Sequence, residues 1–206
     1  MAYIAFTLAR VQTAFGLTVQ TGLDLFGHIP PVPVDTVVQT LLTKWRGLAT
    51  TISTEKARSE MLVAPLLGEA WHVGSGRIAL FSGVAFDVDA AAELTGVCDF
   101  ILGYPPQLDY VTAPVMMITE AKNESIMGGL GQCAAAMVAA QRFNRTRNPE
   151  VRAVYGCVTD GEGWKFLRLT GTTPEIDTAE YLISEPDRIL GVILNFVGLA
   201  PLAPAA

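Results

Sequence analysis

Two short runs constrain the fold of this chain more than any others: Gly96-Val97-Cys98-Asp99-Phe100-Ile101-Leu102 and Val115-Met116-Met117-Ile118-Thr119-Glu120-Ala121-Lys122. The second is apolar on both faces until its end, which is the pattern of a central strand covered on both sides. Glu120 and Lys122 are two apart, so they project from one face of that strand end. A carboxylate and an ammonium there must pair, bind a metal or incur a large desolvation cost. Asp99 interrupts the first run in a comparable position. If the two strands are neighbours, Asp99 and Glu120 converge, and each raises the other's pKa unless a cation sits between them. Two carboxylates with a backbone carbonyl form a hard oxygen set suited to Mg²⁺ or Mn²⁺. Lys122 would then orient, or help deprotonate, a water that attacks a phosphodiester. The alternative is plain: E-x-K is common and often marks a solvated strand end, and Asp87, Asp89 and Asp109 are further acids at similar range.

The surrounding pattern places these runs in a mixed α/β chain. Asp35 is set to cap a helix through Val38, Leu41, Leu42 and Trp45. A second helix starts near Ser53 or Thr54 and runs to Leu67, with Gly68 where a C-terminus would fall. Strands are expected over 77–88, 97–102 and 115–121, the last two turned at Tyr104-Pro105-Pro106 and hence antiparallel. A long alanine-rich helix follows over 128–143. A hairpin of 151–159 and 164–169 then turns at Asp160-Gly161-Glu162-Gly163. The stretch from Ile189 to Ala206 carries Pro201 and Pro204 and is too short in helix to cross ~30 Å of bilayer, so it reads as a packing or dimer helix. The sum is a sheet covered by helices on both faces. Residues 1–50 read as an N-terminal helical extension and 51–206 as the main domain.

Composition limits the partners. Half of the residues are apolar and only 17% are charged, the balance of a folded chain with apolar surface to spare. A homodimer or larger homo-oligomer is therefore expected, with no membrane partner. The net charge of −6 weakens any grip on phosphates, so nucleic-acid affinity should be low without a divalent metal or partner. The loose cluster of Arg142, Arg145, Arg147 and Arg152 is either a phosphate contact or a solvated helix end. Cys98, Cys133 and Cys157 lack a C-x-x-C pair, fitting a reducing cytoplasm and offering no zinc site. His28 and His72 stand alone, and no secretory signal pattern opens the chain.

Helix phase singles out further candidates. Glu55 lies seven residues before Leu62, on the apolar stripe with Leu66, whereas Glu60 points nearly opposite. Glu55 is then the inward acid of that helix, or else a first-turn glutamate favoured by the helix dipole. Gln132 shares a stripe with Ala136, Ala139, Ala140 and Phe143. It needs hydrogen-bond partners that either a polar site or the backbone would supply. Gly128, Gly129 and Gly131 keep the start of that helix slim enough for a phosphate to approach the backbone.

Taken together, Asp99, Glu120-Ala121-Lys122, Gln132 and the preceding acidic helix resemble the PD-(D/E)XK nuclease superfamily. The blocks Thr54–Glu60, Leu80–Val84, Cys98–Phe100, Glu120–Glu124 and Gly129–Cys133 look like those of a group of bacterial, notably cyanobacterial, proteins. The hairpin Tyr155–Thr159 to Trp164–Phe166 is similar to the end of the type I restriction enzyme nuclease domain. The resemblance implies a restriction-endonuclease-like αβββαβ core and Mg²⁺ (or Mn²⁺) held by Asp99, Glu120 and the Ala121 carbonyl. It also implies a catalytic Lys122, with Glu55 and Gln132 as accessory residues. Cys98 departs from the motif, standing where its name puts proline. The expected activity is metal-dependent hydrolysis of nucleic acid, DNA before RNA. A nuclease-like scaffold that binds without cutting is the alternative, since fold analogy does not settle activity.

Overall fold

The structure, a computed structural model, describes residues 3–104, 109–122, 125–148 and 150–199. A short 3₁₀ turn at Tyr3–Ala5 leads into α1 (Leu8–Phe15) and β1 (Gln20–Leu23), followed by α2 (Thr36–Ile52). The Asp35 carboxylate accepts from the Val37 N–H at 2.7 Å, capping α2 as its sequence position requires. Thr54 caps α3 (Glu55–Arg58) in the same way through the Ala57 N–H. A π turn at Ser59–Val63 carries α3 into α4 (Ala64–Gly74).

That π turn revises two expectations. Pro65 has no N–H to donate into the helix, and the wider turn just before it absorbs the missing bond. The helix therefore runs past Gly68 to Gly74, because burying Leu66, Leu67 and Ala70 outweighs the glycine's weak helix preference. Glu55 and Leu62 now straddle a break in the 3.6-residue period, so they do not share a face. Leu62 is buried and Glu55 is exposed.

The strands β2 (Ala79–Ala85), β3 (Val97–Gly103) and β4 (Val115–Ala121) precede α5 (Ile126–Arg147). After it come β5 (Ala153–Thr159), β6 (Gly163–Thr170), β7 (Thr173–Asp177), β8 (Tyr181–Leu182) and α6 (Pro186–Phe196). They form one mixed sheet in the order β1-β7-β6-β5-β4-β3-β2, with β8 beside β6. β2–β3–β4 are antiparallel neighbours, β4 and β5 are parallel, and β5–β6–β7 is antiparallel again. The expected β3–β4 reversal holds, although Pro105 and Pro106 of its proposed turn lie outside the described residues.

β4 has strands on both sides and side chains buried on both faces. One face packs under α2, the π turn, α4 and α6, with Phe26, Phe166 and Phe196 in mutual edge contacts. The other packs under α5, whose alanines let it lie close to the sheet, and α1 packs against α5. The C-terminal helix is a packing helix, with Ile189 to Leu194 buried, and the end of that stretch lies outside the described residues. Among the described residues no helix is long and apolar enough to cross a membrane. Some of the apolar surplus stays outside, as Val37, Trp45, Leu48 and Ile52 along α2.

The first fifty residues are more than a helical extension, because β1 joins the sheet in parallel with β7. Sequence pattern missed β1, whose four residues are all exposed, and β7, which begins Thr173-Pro174. An edge strand without an apolar face carries no period-two signal, and proline argues against a strand unless it lies near the sheet's edge.

Candidate functional site

The ends of β3 and β4 bring the acids together. Phe100 pairs with Thr119 and Ile101 with Ile118, a register that sets Asp99 opposite Glu120. The Asp99 Oδ2 accepts from the Ala121 N–H at 2.8 Å, so a side chain stands where a ladder carbonyl would otherwise bond. Asp99 is half-buried, whereas Glu120 has no exposed surface at all.

Glu120 is the energetic problem of the molecule. Gln132, on α5, donates from Nε2 to Glu120 Oε2 at 2.5 Å, while Oε1 is buried without any partner. Burial pushes the Glu120 carboxyl well above its ordinary value, and the facing Asp99 carboxylate adds to the rise, by its charge and by accepting a hydrogen bond that Glu120 can donate only when protonated. Lys122 opposes it, and Glu55 contributes a further small push upward. The Gln132 orientation follows from chemistry, since an amide nitrogen can only donate and Glu120 Oε2 can accept.

Lys122 sits just beyond β4, with its N–H held by the Thr159 carbonyl of β5 at 2.7 Å. Its Nζ lies 3.8 Å from Glu120 Oε2 and 4.0 Å from Glu55 Oε2, with the side chain 18% exposed. The ammonium thus bridges β4 and the start of α3. Glu55 does face the site, though from the exposed rim of the cleft and not from within the core, for the reason of helix phase given above. Glu60 is exposed and pairs with Lys56 at 2.8 Å. Both glutamates line a small groove of about 250 Å³ that reaches Asp99 past Ser59, Ser82 and Gly83.

Other expectations resolve differently. The missing side chain of Gly131 is occupied by backbone of Phe6, Thr7 and Leu8, and that of Gly129 by Val158 and the Lys122 stem. Only Gly128 is left open there, so the idea of a phosphate lying against all three glycines does not survive. Arg142 is paired with Asp89, and Arg147 stacks on Phe143. Arg147 lies about 27 Å along the α5 axis from Gly129, so this basic cluster is at the far end from Lys122. Cys98 is fully buried, and burial followed by the Glu120 charge drives its thiol upward; all three cysteines are free.

Sequence reasoning did not single out Thr159, Gly129 as a contact of Lys122, or the docking of the Asp160 turn against α3. There the Arg58 Nη1 donates to the Asp160 carbonyl, and Asp160 Oδ1 accepts from the Glu162 and Gly163 N–H groups. The Asp-Gly pair was legible as a hairpin, but its docking against α3 was not.

Among the described residues no three His, Cys, Asp or Glu side chains stand close enough together to hold a metal by themselves. A cation here would rest on two carboxylates and complete its shell with backbone carbonyl and water. Compared with known proteins, the chain matches no family model and no curated protein sequence.

Proposed function

We propose that this protein is a divalent-metal-dependent phosphodiesterase of nucleic acid, DNA in preference to RNA, with a restriction-endonuclease-like core. The observation that carries the proposal is the orphaned Glu120 Oε1, buried opposite Asp99. A buried carboxylate oxygen without a donor costs about 1–3 kcal/mol or more, and a hard cation removes that cost. The element order α4–β2–β3–β4–α5–β5, with β4 and β5 parallel, supports the same reading because it follows αβββαβ.

Asp99, Glu120 and the Ala121 carbonyl would hold the ion, Mg²⁺ or Mn²⁺. Once bound, it supplies positive charge to the phosphate and acidity to a water. Gln132 fixes the Glu120 carboxylate through Oε2 and leaves Oε1 for the cation. Lys122 offers Nζ donors to a phosphate oxygen or to the attacking water, and Glu55 steadies the same ammonium from the cleft rim.

A nuclease-like protein that binds without cutting is the second reading. It is favoured by the net charge of −6 and by an arginine cluster at the wrong end of α5. The deciding experiment incubates the protein with plasmid, linear duplex, single-stranded DNA and RNA in Mg²⁺ or Mn²⁺, beside Glu120→Ala and Lys122→Ala. Metal-dependent cutting lost in both variants supports the enzyme. Metal binding by calorimetry without any cutting would leave the binding protein.

A further inference from the structure

Glycine is a poor choice in the opening turns of a long helix, so each one in α5 calls for a contact that demands it. Gly131 has such a contact in the N-terminal segment, and Gly128 has none: a Cβ there would meet only Ser125, at an ordinary 3.7 Å. Gly129 is different. A Cβ at Gly129 would stand 3.1 Å from Lys122 Cγ and 3.3 Å from Lys122 Cε, besides 2.6 Å from Val158 Cγ1. The lysine stem therefore lies along the notch that Gly129 leaves between α5 and β5.

We infer that Gly129 is a positioning residue for Lys122, its bare Cα forming the notch that steers the lysine stem so that Nζ reaches Glu120 and Glu55. The inference deepens the proposed function and rests on it for its catalytic meaning, but not for its geometry. Lysine has four rotatable bonds and a strongly hydrated head, so without a channel it would extend into water. Here it is confined along its length: Thr159 holds the backbone, the Gly129 notch holds Cγ and Cε, and two carboxylates face the head. Even one methyl group in the notch must move either the stem or the helix, because both contacts are shorter than carbon atoms normally allow.

The test reads Lys122 directly, in the full chain and without metal, by brief acetylation with an N-hydroxysuccinimide ester and mass spectrometry. Lys44, Lys56 and Lys165, the other three lysines, serve as internal references. In the wild type Lys122 should label slowly, being 18% exposed where Lys56 is 83% exposed. Gly129→Ala should raise Lys122 labelling at least threefold relative to Lys165, and Gly128→Ala should not. The double variant Gly129→Ala/Val158→Ala removes the Val158 clash, keeps the lysine clash and should show the same rise against Val158→Ala alone. Unchanged Lys122 labelling in both Gly129 variants, with the helical circular dichroism intact, overturns the inference. Failure of the wild type to cut any nucleic acid would overturn the nuclease reading instead, leaving the labelling to decide Gly129.

Discussion

Replacing Glu120 by glutamine should stabilise the metal-free protein, an unusual outcome for a polar substitution in a core. Wild-type Glu120 is buried, lacks a partner at Oε1 and faces Asp99. The amide keeps an oxygen to accept from Gln132 and supplies an N–H₂ that can donate to the Asp99 carboxylate. Relieving an orphaned buried acceptor is worth about 1–3 kcal/mol, and a hydrogen bond to a charged group about 1.5–3 kcal/mol. Because these overlap, a gain of about 2 kcal/mol at pH 7 is expected. For a chain of this length that gain raises Tm by about 4–8 °C.

The sign of the pH dependence follows from the direction of the Glu120 shift. Its folded-state value is raised above the ordinary 4.5, so its contribution to stability is fullest below that pH. That contribution is lost as pH rises through the raised value. The advantage of Glu120→Gln should therefore be large at pH 7 and shrink toward nothing near pH 4, where the carboxyl is protonated in both states. Urea titrations in EDTA across this range measure it. A variant no more stable than wild type at pH 7, or a gap that persists on acidification, would refute the reasoning.

Two further outcomes are expected. Asn144, 1% exposed, accepts from the Val115 N–H at 2.8 Å and donates to the Val115 carbonyl at 2.6 Å, standing in for a missing strand partner. Asn144→Ala leaves both backbone groups buried and unsatisfied and should cost about 2–4 kcal/mol in urea denaturation. A loss below about 1 kcal/mol would mean that water replaces the amide. Gly131→Ala pushes a methyl group into the backbone of Phe6 to Leu8 and should loosen α1 from α5, seen as faster limited proteolysis within residues 5–16. Unaltered cleavage there would show that α5 shifts to accommodate the methyl group.

Much of the sheet was legible because its signals are local. The apolar runs of β3 and β4, the Asp35 cap, a helix start near Ser53 or Thr54 and the Asp160–Gly163 turn each follow from a handful of neighbouring residues. The edge strand β1 and its neighbour β7 were not legible, because they owe their existence to partner strands and not to their own side chains.

The candidate site divides along the same line. Strand alternation alone placed Glu120 and Lys122 on one face and marked Asp99 as costly in its run, because period two is a property of the backbone. Only the tertiary structure decided that Asp99 falls opposite Glu120 and that Gln132 takes one of its oxygens while leaving the other bare. Only it showed Lys122 lodged against Gly129. Register, a π turn that shifts helix phase, and the approach of α5 to the sheet depend on contacts between residues far apart in sequence. Those contacts form only when the chain packs.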